Sequence, residues 1–543
     1  MSTQANYQAD VVIIGGGIAG IVAALELIDQ GQSVVLLDRD QAGKFGGLAK
    51  ESFGGIWFVN TRLQRRAGIQ DSIDLALRDW KNTAQFSADD HWPRKWAEAY
   101  VSECTDMVHD WLRQKGLGFF PVVHWAERGL FQPGNSVPRF HMVLGLGHGL
   151  ALRMIELLRS HKNAHLCQIH FRHNVEELRL NQSSGPECHG TNEENGASFT
   201  AKAEQLIVAT GGMNGDLDRV RRQWDRADFG EPPATILSGS HRYADGRMHD
   251  QVQQQGGRLT HLEKSWNYPS GVHHPEPDKP DHGLTIVPPK SALWVDYTGK
   301  RFGPMPLVTA YDTRFILEQI CKSDRKYSYQ IMNWKIARKE IAVQNSDYNL
   351  AMRDKKIFQF IKQIVLGNPE QVRFLLHNCL DVVSANTVPE LAAKLNALNG
   401  DDAVDAAQLE ADIRAYDAGI ERGPKYFNDE QLRRIAHARR YRGDRVRTCK
   451  FQKILDPKAG PLIAIREFVI VRKSLGGIQT DLDCRVLDNS GKALPGLYAI
   501  GEAAGFGGGG VHGKGALEGT FLGGCIFSAR RVAQAIARGQ ADS

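Results

Sequence analysis

Between Asp10 and Asp40 the chain alternates compact apolar runs with glycine and a single amphipathic stripe. Val11, Val12, Ile13 and Ile14 form a largely β-branched run that fits a strand buried on both faces. Ile18, Ile21, Val22, Leu25 and Ile28 then recur on one face, predicting a helix from Ile18 to about Gln30, stopped by Gly31. A second apolar run, Val34 to Leu37, predicts another strand and ends on Asp38.

Downstream, the pattern from Asp71 to Gly116 is helical, with Trp80, Trp92, Trp96 and Trp111 read as core and helix contacts. Ala201 to Gly212 reads as a buried strand ending in Ala-Thr-Gly-Gly (Thr210, Gly211, Gly212). His241 to Leu259 reads as a helix opened by Asp245-Gly246 and closed by Gly256-Gly257. The proline- and charge-rich stretch from Gly271 to Gly283 reads as a hinge into a second domain. Beyond it come the strand-like Ser291 to Phe302 and long helical segments such as Asn386 to Leu398 and Asp405 to Ile420. From Glu467 onward the chain returns to glycine-rich strand-then-helix style. The expected architecture is therefore α/β: a Rossmann-like domain split into residues 1–270 and 465–543, with an inserted α+β capping domain over 271–464.

Composition changes this picture little. At 543 residues the chain exceeds one core, and 42% hydrophobic with 24% charged residues describes a soluble globular protein. A formal charge of +5 does not point to nucleic acid. Eight scattered cysteines without a CxxC pair fit reduced thiols in the cytoplasm, and no apolar run has the length of a membrane span. The cluster His161, His165, Cys167, His170 and His173 suggests a metal, but a strand from His165 onward would divide these side chains between two faces, so no metal is expected.

The chemistry is carried by glycines. Gly15, Gly17 and Gly20 stand at GxGxxG spacing between strand and helix, and Asp38 is placed to bond ribose hydroxyls, which together read as a dinucleotide site. The paired glycines Gly46, Gly47 and Gly54, Gly55 let backbone pass flat against a ring or phosphate. There is no second GxGxxG of the kind an NAD(P)H-driven flavin reductase carries.

With GGGIAG and Asp38, GGLAKESFGG, IVATGG, GKRF and GLYAIGEAAG followed by GALEGT, nearly the whole sequence resembles the flavoprotein superfamily of fumarate reductases, succinate dehydrogenases and 3-ketosteroid Δ1-dehydrogenases. The resemblance implies FAD, held by Gly15, Gly16, Gly17, Ile18, Ala19 and Gly20 at the pyrophosphate and by Asp38 and Arg39 at the adenosine end. It also assigns to the cofactor Gly46, Gly47, Leu48, Ser52, Gly54, Gly55, Val175, Thr210, Gly211, Gly212, Asp245, Gly501 and Glu502. Backbone N–H groups at Gly515, Ala516 and Leu517, opening a helix, would face the flavin pyrimidine edge. Leu48 stands where membrane succinate dehydrogenases attach FAD through histidine, so non-covalent FAD is implied.

The same resemblance directs the substrate. Tyr311 occupies the position of the fumarate reductase arginine acid, and Ala516 that of a substrate-binding arginine, so a dicarboxylate loses both clamps. A tyrosine there matches the ketosteroid dehydrogenases, in which it would take the α-proton while hydride leaves the β-carbon. Gly515 would polarise the carbonyl, His512 or Lys514 would replace a second tyrosine, and Lys473 would hold a carbonyl or anionic oxygen. The expected activity is hydrogen removal from, or addition to, a carbon–carbon bond next to a carbonyl, with an external quinone-like or dye-like electron acceptor or donor. The rival readings are a dicarboxylate reductase with a clamp of Lys473, His512 and Lys514, and a flavin-binding redox partner without substrate chemistry.

Overall fold

The computed structural model describes residues 5–180, 185–342 and 348–541. Its first sheet has eight strands, and the parallel part is built by the runs the apolar pattern picks out. Ala5–Ile14 lies between Val34–Leu37 and Ser198–Val208, parallel to both, with Ile14 level with Leu37 and Val208. Val11 to Ile14 and Val34 to Leu37 are buried throughout, as expected of strands covered on both faces. Cys167–His170 continues the sheet beyond Val34–Leu37, and Ala493–Ala499 continues it beyond Ser198–Val208. The helix Ile18–Asp29 covers one face and packs against the C-terminal helix Thr520–Ala541. Residues some 500 apart thus share one core.

The five-residue metal-like cluster is broken up by this sheet, although the His170 and His173 rings remain 5.2 Å apart beside Tyr7. His161 pairs with Asp29, Cys167 and His170 lie on one strand, and His173 opens the next, donating to or accepting from the Tyr7 hydroxyl. Among the described residues no group of histidine, cysteine and carboxylate side chains is arranged to hold a metal. The tryptophans pack as expected: Trp80 and Trp96 are buried and donate to the backbone oxygens of Val511 and Asp481.

A second sheet of seven strands is organised on Leu462–Ser474, thirteen residues and almost wholly buried. It pairs antiparallel with Ser265–His273, Ser328–Asn333 and Val382–Ala385, and parallel with Ile236–Ser238. Helices Val388–Asn399 and Ala406–Glu421 pack on it, with Thr387 and Asp405 accepting the first backbone N–H groups. The stretch from Gly271 to Gly283 is not a hinge. Gly271, Val272 and His273 pair with Thr285, Leu284 and Gly283, so the prolines occupy the tip of a hairpin inside this sheet. Two strands of the sheet, Ser265–His273 and Leu462–Ser474, run through the positions expected to divide the domains, and Ile236–Ser238 precedes them.

Candidate active site

Between the two sheets lies a cavity of about 450 Å³. One end is the glycine cradle. Gly17 caps the helix Ile18–Asp29, and a Cβ placed on it would meet nothing within 4 Å, which leaves the helix N-terminus open to an anion. At Gly20 a Cβ would lie 2.0 Å from the Gly15 carbonyl oxygen, so only glycine lets helix and strand close up. Asp38 and Glu502 line the same space. Burial pushes the Asp38 carboxyl up to about 6 and that of Glu502 up to about 7, the latter against the Ser474 N–H that donates to it at 2.8 Å. Arg39 reaches from the cradle to Asp245 at 3.2 Å and lies over the Tyr243 ring.

This set suits a dinucleotide: an open helix N-terminus for the pyrophosphate, costly buried carboxylates that hydroxyl donors would relieve, and a long slot leading inward. Of the residues expected to hold it, Gly15, Gly16, Gly17, Ile18, Ala19, Asp38, Arg39, Gly47, Leu48, Ser52, Gly55, Val175, Thr210, Gly211, Asp245 and Glu502 line the cavity. Gly20, Gly46, Gly54, Gly212, Gly501, Gly515, Ala516 and Leu517 do not. For Gly20 and Gly212 the reason is packing; a Cβ on Gly212 would lie 2.3 Å from Glu502 Oε1. The last helix begins at Thr520, and Glu518 and Gly519 line the cavity in place of Ala516 and Leu517.

At the inner end three side chains meet. Tyr268 donates its hydroxyl to Glu518 Oε1 at 2.7 Å, and the Lys473 ammonium donates to the Tyr268 oxygen at 2.9 Å. Trp266 Nε1 also donates to Glu518 Oε1, at 2.9 Å. The strands set this up: Trp266 is paired across the sheet with Lys473, and Trp266 and Tyr268, two residues apart, reach the same carboxylate. Lys473 Nζ sits 4.2 Å from the Phe521 ring centroid. Burial holds the Tyr268 phenol well above its usual range, reinforced by the adjacent Glu518 carboxylate, and pushes the Lys473 ammonium down to about 8 against the pull of Glu518.

Around this group the wall is mostly apolar, formed by Phe53, Phe140, Met142, Ile286, Trp294 and Phe521 among others. Glu127, which accepts from the Thr313 hydroxyl and N–H, is pushed up to about 8 by burial, against the pull of those two hydrogen bonds. Farther along, Lys290 (3.3 Å), Arg447 (3.8 Å) and Arg128 surround Asp444. Burial works to raise that carboxyl, but the three cations override it and hold it below the usual range.

The residues expected to carry catalysis divide sharply. Lys473 lines the cavity. Tyr311 does not: it follows Ala310, whose φ of +73° turns the chain, and its hydroxyl lies 2.9 Å from the Arg434 carbonyl oxygen and 3.0 Å from His437 Nδ1. The cavity is lined instead by its neighbours Thr309, Ala310 and Thr313. His512 is buried in an aromatic shell, stacked on Trp80 and bonded to the Thr520 hydroxyl, with burial pushing its imidazole down to about 3. Lys514 is half-exposed and 3.7 Å from Asp228, while the Gly515 N–H donates to the His512 carbonyl oxygen. None of these three reaches the cavity.

Tyr268 and Glu518 were not among the expected site residues. Glu518 lay two positions past Ala516 in GALEGT, and an acid beside a glycine-rich helix start was the available signal. Tyr268 had none, since it precedes the proline-rich stretch read as a hinge.

Residues 10–522 match the family described as FAD binding domain. A KsdD-like steroid dehydrogenase of Mycobacterium tuberculosis is 41% identical over 97% of this chain and 96% of its own, and one of Mycolicibacterium smegmatis is 40% identical over 95% and 96%. Among solved structures, a 3-ketosteroid Δ1-dehydrogenase from Sterolibacterium denitrificans in complex with 1,4-androstadiene-3,17-dione superposes with a TM-score of 0.71. It is 17% identical, covering 98% of this chain and 100% of that one.

Proposed function

This chain belongs to the FAD binding domain family, and we propose that it is a ketosteroid dehydrogenase-like oxidoreductase, holding FAD non-covalently and acting on a carbon–carbon bond next to a carbonyl. The observation that carries this reading is the Tyr268–Glu518–Lys473 group at the inner end of an apolar cavity continuous with the glycine cradle. A flat, largely apolar ketone matches the wall, and its oxygen matches the polar group. Leu48 at the cavity wall offers no nucleophile for a covalent flavin bond. The reaction is assigned to the cytoplasm, with a quinone-like external electron acceptor.

Bound FAD supplies the hydride acceptor or donor. The chain's own residues manage the proton. Tyr268 is a neutral phenol held by Glu518, and Lys473 faces its oxygen, so loss of the phenolic proton would be met by an adjacent ammonium rather than by solvent. Lys473 can donate a hydrogen bond to a carbonyl oxygen and stabilise the enolate, while the α-proton passes to the Tyr268 oxygen as the phenolic proton passes to the Glu518 carboxylate. Phe521, beneath Lys473, covers one side of that ammonium with an apolar ring.

The direct test is a turnover screen of 3-ketosteroids and simpler cyclic enones and ketones with a dye acceptor, using FAD-loaded protein. Dye reduction dependent on a ketosteroid is the expected result. Fumarate reduction by the reduced protein with no ketone turnover would overturn the reading.

A further inference from the structure

Six of the twelve large apolar side chains that stand exposed among the described residues fall between positions 350 and 366. Leu350 precedes the helix Ile357–Leu366, which presents Ile357, Phe358, Ile361, Val365 and Leu366 outward. Phe358 is 91% exposed and Leu366 61%. At 100° per residue Ile357, Ile361, Val365 and Phe358 span about a quarter of the helix circumference and form a stripe. This exposed stripe on a ten-residue surface helix is not needed for the helix to pack, because Phe360 and Ile364, on the flank next to Ile357, already do so.

The stripe is framed by cations. Arg353, Lys355, Lys356 and Lys362 face a single acid, Asp354, which Arg353 engages at 2.8 Å and Lys356 at 3.9 Å. Two copies meeting through this face would bring these lysines together, so the charge disfavours self-association and complements an anionic surface. The inner face carries a second fact. Phe360 packs with its ring tilted against Phe120 (5.4 Å between centroids) in a cluster that includes Phe53, Phe140 and Met142, all three of which line the cavity.

We propose that Ile357–Leu366 is a membrane-surface docking helix, seating the chain on an anionic lipid bilayer with Phe358, Ile361 and Val365 among the acyl chains and Lys355, Lys356 and Lys362 at the headgroups. The helix lies on the bilayer and does not cross it; no helix of the described residues is long and apolar enough to do so. Docking places a wall of the substrate cavity one side-chain layer from the lipid. For a ketosteroid that is where the substrate partitions, a corollary that rests on the proposed function; docking itself does not.

The test is flotation of the full-length FAD-loaded protein with vesicles of phosphatidylcholine alone or with about 30% phosphatidylglycerol, read by flavin absorbance and without turnover. The bound fraction should rise by about fivefold with the anionic lipid and fall at high salt. Phe358→Ser with Ile361→Ser should reduce it by about tenfold on anionic vesicles, and Lys355→Glu with Lys356→Glu should remove the preference for anionic lipid. All four positions are exposed, and flavin content reports that each variant is folded. Flotation equal in wild type and the serine variant overturns the proposal, as does no flotation on either lipid. Light scattering of the same samples separates the remaining occupant: a dimer that the serine variant dissolves, without vesicle binding, would assign the face to a second copy.

Discussion

The Tyr268 hydroxyl and the Glu518 carboxylate are joined at 2.7 Å although 250 residues separate them, and Lys473 closes the group from the other side of Tyr268. Each of the three comes from a different part of the chain: one strand of the second sheet, its central strand, and the turn before the last helix.

Replacing Tyr268 by Phe should lower kcat/KM for a ketosteroid by about 100-fold or more, the usual contribution of a positioned proton-transfer group, with FAD content unchanged. Tyr311→Phe should stay within about threefold of wild type, because its hydroxyl serves Arg434 and His437 outside the cavity. The reverse pattern in parallel dye-linked assays would return the catalytic role to Tyr311.

Lys473 sets an alkaline limit. If its ammonium supports the Tyr268 oxygen, kcat/KM should fall as pH rises through about 8, and Lys473→Met should flatten that limb while lowering the plateau. The stability sign follows from the same shift. Folding lowers this pKa from 10.5 to about 8, so the unfolded chain binds more protons between those values and stability climbs as pH rises across that window. Below it the cost is fully present. Lys473→Met should therefore stabilise the protein at pH 7, on the order of 1–2 kcal/mol for a partly exposed ammonium, as read by denaturant titration.

Asp38→Ala should weaken FAD binding by about tenfold, the loss of one charge-assisted contact, measured by equilibrium dialysis with flavin fluorescence. The apoprotein should respond oppositely. Burial raises the Asp38 carboxyl to about 6, so its ionisation costs stability above that pH, and the Ala variant without cofactor should melt no lower than wild type at pH 8.

Arg139 is fully buried and grips Asp71 at 2.8 and 2.9 Å and Asp79 at 2.7 Å. It also begins the segment that carries Phe140 and Met142 into the cavity wall. Arg139→Met leaves two buried carboxylates without their cation and should destabilise the chain by about 3–5 kcal/mol, seen as a lower denaturation midpoint. Adding Asp79→Asn to that variant should recover part of the loss. Full additivity of the two substitutions would show that the charges do not act as a unit.

The cofactor end was legible in sequence because its signals are local. Val11–Ile14, Gly15, Gly17, Gly20 and Asp38 fall within 28 residues and follow from turn and strand chemistry. The substrate end was not, because its geometry is made by pairing between distant strands. Tyr268 acquires its setting only when Ser265–His273 lines up with Leu462–Ser474, and no periodicity in either segment encodes that partner. Tyr311 illustrates the converse. The match of position was real, yet a single positive φ at Ala310 decides where the ring goes, and an alanine in that conformation cannot be read from a sequence pattern. His512 was misdirected for a similar reason: Trp80, Phe506 and Phe521 enclose it only after three segments have packed.

The slot that admits the dinucleotide is bounded by Gly15 to Ala19 at one edge and by Ile500, Glu502 and Cys525 at the other. A ribosome must therefore deliver every residue from Gly15 to Cys525 before the nucleotide has walls on both sides. Flavin loading then waits on both segments, and the yellow colour of a preparation measures how many molecules have brought residues 15–19 and 500–525 together.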